Sequence, residues 1–88
     1  MKSIIQKDNR CFLCGSTRDL QTHHCQHGYN RNKADEDGLT VRLCVLCHTN
    51  LHSRGWGDRE LKQISQTMWE RTYGSREDFI RRYGKSYL

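Results

Sequence analysis

The chain has 88 residues, of which 15 are lysine or arginine and 10 are aspartate or glutamate, so its net charge is +5 at pH 7. Only 34% of the residues are hydrophobic and the mean hydropathy is −0.97, which excludes a membrane span and a large apolar core. A single domain over residues 1–88 therefore needs a further source of stability, such as a metal, disulfides or a partner subunit.

Cysteine and histidine are confined to one part of the chain. All five cysteines and all five histidines lie between Cys11 and His52. An odd number of cysteines argues against a complete disulfide framework, and the polar N-terminal segment lacks the pattern of a secretory signal. We therefore expect an intracellular, reducing location, where paired cysteines bind metal more often than each other. The positive charge favours nucleic acid as a partner, although a basic solvated surface has the same composition.

The first predicted elements are two strands separated by a loop. A cysteine knuckle at residues 11–15 follows the polar N-terminal segment, and alternating apolar residues predict a strand over residues 20–24. Residues 27–38 are rich in Gly, Asn and Asp, which predicts a polar loop whose acidic run, 35–37, is solvated surface. Leu39, Val41 and Leu43 recur with a period of two, so a second strand is predicted over residues 39–44.

Three helices are predicted after the second strand. The first begins near Cys44 and runs to about Arg54, where Gly55 breaks it. The second covers about residues 59–73, with Asp58 as its N-cap. A capping box of Ser75 and Asp78 starts a last short helix that Gly84 ends. Apolar residues of the second helix recur at helical spacing and predict a stripe that faces the core: Leu61, Ile64, Met68 and Trp69.

Two Cys-x₂-Cys pairs form the strongest local pattern: Cys11 with Cys14, and Cys44 with Cys47. This spacing lets both thiolates of a pair reach one ion from a tight turn, and zinc favours four thiolates in a tetrahedron. A thioredoxin-like redox motif is the alternative, but the βαβ context that it requires is missing. We therefore predict a structural zinc site that contributes folding free energy. The fifth cysteine, Cys25, is interpreted as a free small side chain.

Four histidines are expected near this zinc site. His48 and His52 are spaced i, i+4, so a helix presents both rings on one face. His23 and His24 end the first predicted strand, and adjacent residues of a strand do not easily aim at one ion. This favours three imidazole ligands and one free base, with a second structural zinc site that lacks catalysis as the alternative. His27 is left either as an exposed loop residue or as a competing ligand.

The order of these motifs resembles the HNH (ββα-metal) endonucleases over about half of the chain, from Cys11 to Arg54. Within it, residues 23–31 and 38–44 resemble a phage-type subgroup similar to recombination-enhancement HNH nucleases, as does the tail at residues 75–88. The resemblance implies an α+β fold with a small zinc-stapled ββα-metal core, similar to a treble clef, over residues 11–54. It also implies a C-terminal extension of two helices over residues 58–88.

The same resemblance implies metal-dependent hydrolysis of DNA with low sequence specificity, leaving a 5′-phosphate and a 3′-hydroxyl. His24 matches the general base that activates water. His23, His48 and His52 match the ligands of a catalytic divalent ion, which is Mg²⁺, Mn²⁺, Ni²⁺ or Zn²⁺. Imidazole suits a base near neutral pH, and a divalent ion offsets charge on the phosphoryl oxygens. The implied partners are DNA and a phage or host recombination protein, with no membrane.

One position departs from the family pattern. The middle Asn of the family name stiffens the loop and orients the base, and this chain has Leu39 at that place. Asn30 or Asn32 is expected to replace it from the predicted loop.

Basic side chains around the proposed site are expected to contact DNA phosphates, because arginine suits forked phosphate contacts. The alternative interpretation of each of these side chains is a solvated surface charge that does not contact DNA. A non-catalytic zinc-binding module that binds DNA or protein is the alternative function. The predicted phosphate contacts are Arg31, Arg42, Lys33, Arg54 and Arg59.

Overall fold

Two antiparallel strands, β1 (Leu20–His24) and β2 (Thr40–Cys44), form the sheet in a computed structural model that describes residues 3–88. The register pairs Leu20 with Cys44 and His24 with Thr40. The first strand has the predicted bounds, and the second begins one residue later than predicted. Leu39, Val41 and Leu43 are all buried, as their period of two predicts, but Thr40 and Cys44 are buried as well, so the strand has no fully exposed face.

The predicted polar loop between the strands is wrong, since most of it is helical. A 3₁₀ turn over Gly28–Asn30 leads directly into helix α1, Arg31–Asp37. Asn and Asp suggested a loop, but the segment has no proline, and Ala34 is fully buried against the second core. Gly38 ends α1 in the left-handed conformation, with φ 76°, and its N–H bonds to the Ala34 and Asp35 carbonyls. Four of the seven residues of α1 are strong helix formers, Arg31, Lys33, Ala34 and Glu36, and with the buried Ala34 and this cap they outweigh Asn32 and the two aspartates.

Three further helices complete the fold: α2 (Val45–Arg54), α3 (Asp58–Thr72) and α4 (Arg76–Tyr83). The capping box at Ser75 and Asp78 is present, as predicted. Asp58 is the first residue of α3 instead of its cap, and Gly57 takes the cap position. The part of the chain that the structure describes is thus α+β, with a two-stranded sheet and two C-terminal helices. It contains no helix long and apolar enough to cross a membrane.

The core-facing stripe predicted for α3 is partly wrong. Leu61 and Trp69 are buried as expected, but Ile64 is 36% exposed. Ser65 and Gln66 are fully buried in its place. Their polar groups are satisfied, because Ser65 accepts from Gln26 and Gln66 bonds to Glu70, Ser86 and Tyr87. A buried face that carries satisfied polar residues is invisible to a search for apolar periodicity.

Two apolar clusters hold these elements together. The first lies between the sheet, α2 and the start of α3; the second lies between α1, α3 and α4. Ile5 packs against both clusters, which ties the N-terminal segment to them. The buried members of the first are Cys11, Cys25, Val41, Leu43, Cys44, Leu51 and Leu61, and those of the second are Ala34, Leu39, Trp69, Phe79 and Tyr83.

The prediction that the acidic run of α1 is solvated surface is wrong for Asp37, whose side chain is 13% exposed, whereas Asp35 and Glu36 are exposed. The Asp37 carboxylate accepts from Trp69 Nε1 at 2.8 Å, from Tyr83 Oη at 2.7 Å and from Arg82 Nε at 2.6 Å. Glu36 also bonds to Arg82, at 3.0 Å. Asp37 therefore joins α1 to α3 and α4. The hydrogen bond with Asp37, with a smaller contribution from Glu36, raises the pKa of Arg82. Burial, and after it the hydrogen bond with Asp37, raises the pKa of the Tyr83 hydroxyl.

Candidate metal centres

Four cysteine sulfurs converge where the N-terminal knuckle meets the start of α2. The Sγ atoms of Cys11, Cys14, Cys44 and Cys47 all lie within 4.8 Å of one another. The Cys14 and Cys44 sulfurs are 3.7 Å apart, and two thiolates on tetrahedral zinc are separated by about 3.8 Å. Backbone N–H groups of Cys14 and Cys47 donate to Cys11 and Cys44, as in a knuckle that turns around an ion. These four cysteines could hold a structural zinc ion, as the sequence predicts.

The electrostatics of these thiols also fit a cation. Burial opposes ionisation of Cys11, but donors from the Cys44, Cys14 and Leu13 backbone outweigh it and lower its pKa to about 6. Burial, followed by hydrogen bonds with the neighbouring cysteine sulfurs, raises the pKa of the Cys47 thiol. Four thiolates so close together repel one another unless a positive ion lies between them.

Cys25 takes no part in this cluster, as predicted. Its side chain is fully buried in the first core cluster. Burial, followed by the charge of Asp58, raises the pKa of this thiol to about 12. All five cysteines are free thiols. Cys25 therefore acts as a small core side chain and not as a nucleophile or a ligand.

Three histidines form a second group of potential ligands. One nitrogen each of His23, His48 and His52 lies within 4.8 Å of the others. We call these residues the histidine triad. His23 comes from β1, while His48 and His52 lie one turn apart on α2. Cys47 of the cysteine cluster precedes His48 directly, so an ion bound by the cluster would fix the start of α2 and with it the rotation of this helix.

The buried member of the triad has an unused nitrogen. His23 is 2% exposed, and its Nε2 has no hydrogen-bond partner among the described residues. Burial and the nearby rings of His48 and His52 lower the pKa of His23 to about 4, which keeps it in the neutral form that binds metal. A buried nitrogen without a partner costs free energy. A metal ion among the three rings would remove this cost, so the residues fit such an ion.

A glutamine that the sequence analysis did not identify orients the triad. The side chain of Gln21 accepts from His48 Nδ1 at 2.6 Å. The Nε2 of His48 therefore carries the lone pair, and it lies 2.9 Å from the Nε2 of His52. Two imidazole nitrogens on tetrahedral zinc are about 3.3 Å apart, so a small opening of this pair would admit an ion. Gln21 precedes His23 by two residues, and this spacing puts both on one strand face.

His24 lies on the other face of β1, as strand alternation requires. Its Nε2 bonds to Asp35 Oδ1 of α1 at 3.1 Å. This hydrogen bond lowers the pKa of Asp35, so the carboxylate accepts and the ring nitrogen donates. The Nδ1 of His24 is left as the acceptor. Next to the pair is a cleft of about 990 Å³ whose lining includes Asp35, Thr22 and Arg42.

His27 is the fifth histidine and lies beside the triad. Its ring centre is 6.2 Å from that of His23 and 6.3 Å from that of His52. Its Nε2 bonds to Asp58 Oδ1 at 2.9 Å, and Lys62 bonds to the other oxygen at 3.0 Å. Burial opposes ionisation of Asp58, but these two partners outweigh it and lower its pKa. His27 is thus an exposed residue, which agrees with the interpretation as an exposed loop histidine. It also has a carboxylate partner, Asp58.

The asparagines proposed to support His24 are used elsewhere or point outward. Asn30 donates to the Tyr83 carbonyl at 2.9 Å, and Asn32 is exposed. The expectation that either replaces the middle Asn is wrong, because α1 turns Asp35 toward His24 instead. Asp35 lies eleven positions from its partner, and no local sequence signal links the two.

The predicted phosphate contacts occupy different surfaces. Arg31 and Arg59 are exposed. Arg54 follows the triad on α2 and lies over the Trp56 ring at 5.3 Å. Lys33 donates to the Arg82 carbonyl and Arg42 to the Asp8 carbonyl, so both of these cations are partly engaged within the chain.

Comparison of the chain with protein-family models, with curated proteins and with solved structures gave no match.

Proposed function

We propose that this protein is a metal-dependent endonuclease that hydrolyses DNA phosphodiester bonds with low sequence specificity. The observation that carries the proposal is the pairing of two different centres, a four-cysteine cluster and a three-histidine group, which both use residues of α2. A purely structural role explains the first centre, since zinc at this position stabilises the fold. The second centre uses imidazoles with open surroundings, as a reactive site requires.

Three imidazole ligands leave coordination positions for other groups. His52 is exposed and His48 is half-buried, and with Gln21 they line an open concavity of about 540 Å³. Mg²⁺, Mn²⁺, Ni²⁺ and Zn²⁺ are the candidate ions, and a bound divalent ion would offset the negative charge that develops on the phosphoryl oxygens. A phosphate can approach the triad from this side.

His24 is the proposed general base. Because Asp35 accepts the Nε2–H, the free Nδ1 can take a proton from water. Asp35 then replaces the middle Asn of the HNH pattern as the positioning residue. In-line hydrolysis places the attacking water and the leaving oxygen on opposite sides of phosphorus. His24 and His23 are consecutive residues at the end of β1, so the proposed base and a proposed ligand start from neighbouring positions of one strand.

The substrate is proposed to be DNA because the chain carries a net charge of +5 and has an exposed arginine, Arg54, two residues after His52 on α2. A recombination protein of a phage or its host remains the proposed protein partner, on the resemblance alone. Binding that rests on phosphate contacts should weaken steeply with added salt.

The test is plasmid nicking by the purified protein with Mg²⁺, Mn²⁺, Ni²⁺ or Zn²⁺, compared with a His48→Ala, His52→Ala double variant. We expect nicking by the wild-type protein, loss in the double variant, and unchanged zinc content at the cysteines. If the wild-type protein binds DNA but nicks it with none of these ions, the protein is a zinc-containing binding module and the proposal is wrong.

A further inference from the structure

We propose that the outer face of α3 is an interface at which two copies of this chain pair through their α3 helices, in antiparallel orientation. Such a dimer goes beyond the proposed function and is independent of it. Two apolar residues of α3 that were predicted to face the core lie at this surface instead, because Ile64 is 36% exposed and Met68 is half-buried.

A stripe of six side chains runs along this face of the helix. Its members recur at spacings of three and four residues, which places them on one side of α3. They line an open concavity of about 470 Å³ and extend from the first turn of the helix to the last. We call this set the α3 stripe: Glu60, Gln63, Ile64, Thr67, Met68 and Arg71.

The middle of the α3 stripe offers apolar contact although two of its four residues are polar. The Thr67 hydroxyl donates to the Gln63 carbonyl at 3.0 Å, and the Gln63 amide donates to the Tyr87 carbonyl at 3.0 Å. Because these donors are already satisfied within the chain, a partner can cover them without loss of a hydrogen bond. Their methyl and methylene groups can then pack together with Ile64 and Met68.

The two ends of the α3 stripe carry opposite charges. Glu60 and Arg71 are both exposed, and neither has an ion-pair partner among residues 3–88. Eleven positions separate them, about 16 Å along the helix, so they cannot bond to each other. The helix dipole favours these signs at the two ends, but it does not require both charges to lie on the face that carries the exposed apolar residues.

The α3 stripe is complementary to itself when two helices run antiparallel. Each of its positions has a counterpart at the same distance on the other side of its centre. A two-fold axis through the centre therefore brings Glu60 of each copy opposite Arg71 of the other and places the two apolar middles against each other. Parallel helices would oppose like charges at both ends, which costs free energy. The charges thus favour a second copy of this chain in one orientation.

The expected dimer is weak and reversible. One helix face buries less surface than the roughly 1,200–2,000 Å² of a standard interface, so we expect a dissociation constant above about 1 µM. Each copy brings its own cysteine cluster and histidine triad, so the dimer carries two sets of candidate metal centres.

Sedimentation equilibrium of the zinc-replete protein without nucleic acid, from about 1 µM to 1 mM, measures this association. We expect the average mass to rise from 10.5 kDa toward twice that value. Glu60→Arg and Arg71→Glu each oppose like charges at both ends, and each should raise the dissociation constant at least about 10-fold. Arg59→Glu is the control, because it makes the same charge change as Arg71→Glu on the same helix but outside the α3 stripe.

The two charge-reversed variants should associate when they are mixed, since every contact at the ends then joins an arginine to a glutamate. Ile64→Ala keeps every charge and should also weaken association, so the test stands even where a reversed charge disturbs α3. A wild-type mass of 10.5 kDa at about 1 mM overturns the proposal. So does association of Ile64→Ala and of the separate charge-reversed variants that equals that of the wild-type protein, because the copies then meet through another face. Neither outcome bears on DNA hydrolysis, which plasmid nicking tests separately.

Discussion

His48 donates through Nδ1 to the side-chain oxygen of Gln21 over 2.6 Å, and this contact decides which nitrogen of His48 faces the triad. An imidazole ligand almost always has such an outer partner, which fixes its tautomer and its ring orientation. Here the partner belongs to β1, so the strand supplies one member of the triad directly and orients another on α2.

Replacing Gln21 by Leu should weaken metal binding at the triad without unfolding the protein. The variant cannot accept from His48, so the ring loses its orientation, and we expect Mn²⁺ affinity to fall about 10- to 100-fold. Mn²⁺ titration of zinc-replete protein measures this affinity. Thr22→Val is the matched control, because Thr22 lies on the opposite strand face. Equal affinities for the two variants would show that Gln21 does not support the site.

His24→Ala should abolish metal-dependent nicking while the zinc content, fold and Mn²⁺ affinity stay unchanged. Loss of a general base typically costs about 10²- to 10⁴-fold in rate. Asp35→Asn should lower the rate in part, because the amide can present its oxygen to the ring but has no charge. Glu36→Gln, next to it on α1, is the control. If His24→Ala nicks DNA at the wild-type rate, another residue is the general base.

Cys47→Ser should unfold or aggregate, because it removes one of four sulfur ligands and releases the start of α2. Cys25→Ala removes a thiol from the same core without touching the cysteine cluster, and we expect it to fold with its full zinc content. Zinc stoichiometry and circular dichroism distinguish the two. A folded Cys47→Ser protein with one zinc ion at the cysteines would contradict the assignment of ligands.

The sequence identified the two groups of potential ligands because their signals are local. Cysteine pairs, the i, i+4 spacing of His48 and His52, and the period of two in β1 are all contained in short segments. Partners that lie far apart in the chain were not found. Asp35 and Asp58 each meet a histidine through helices whose placement depends on the whole fold.

The helix α1 was missed for a related reason. Its asparagine and aspartates suggest a loop, and the helix is only seven residues long with one buried side chain, Ala34, so it has no apolar periodicity to find. Without this helix, Asp37 looks like one of three solvated acids. In the folded chain it is a junction of three elements, which no count of charges along the sequence indicates.

Lowering the pH from 7 to 5 should destabilise the protein through His23. Its pKa is about 4 in the folded state and about 6.5 when unfolded. The unfolded chain therefore takes up a proton first as the pH falls, and stability is lost, by about 2 kcal/mol at pH 5. Urea denaturation of protein that carries one equivalent of zinc, enough for the cysteines alone, and no free divalent ion measures this. His23→Gln lacks the titrating ring, so its unfolding free energy should depend less on pH; identical slopes would refute the assignment.

Asp37→Ala should cost more stability than any exposed acid of α1. The substitution leaves the Trp69 N–H, the Tyr83 hydroxyl and the Arg82 guanidinium without their acceptor, and removing one partner of such a network costs about 3 kcal/mol. Because Arg82 is 33% exposed, its side chain can rotate into solvent. The expected loss of unfolding free energy therefore lies at the lower end of the range for buried ion pairs. Urea denaturation of zinc-replete protein gives the change, with Glu36→Gln as control. Because the network lies away from both cysteine pairs, zinc content should stay the same. A loss no larger than that of the control would mean that water replaces the carboxylate and that Asp37 does not join α1 to α3 and α4.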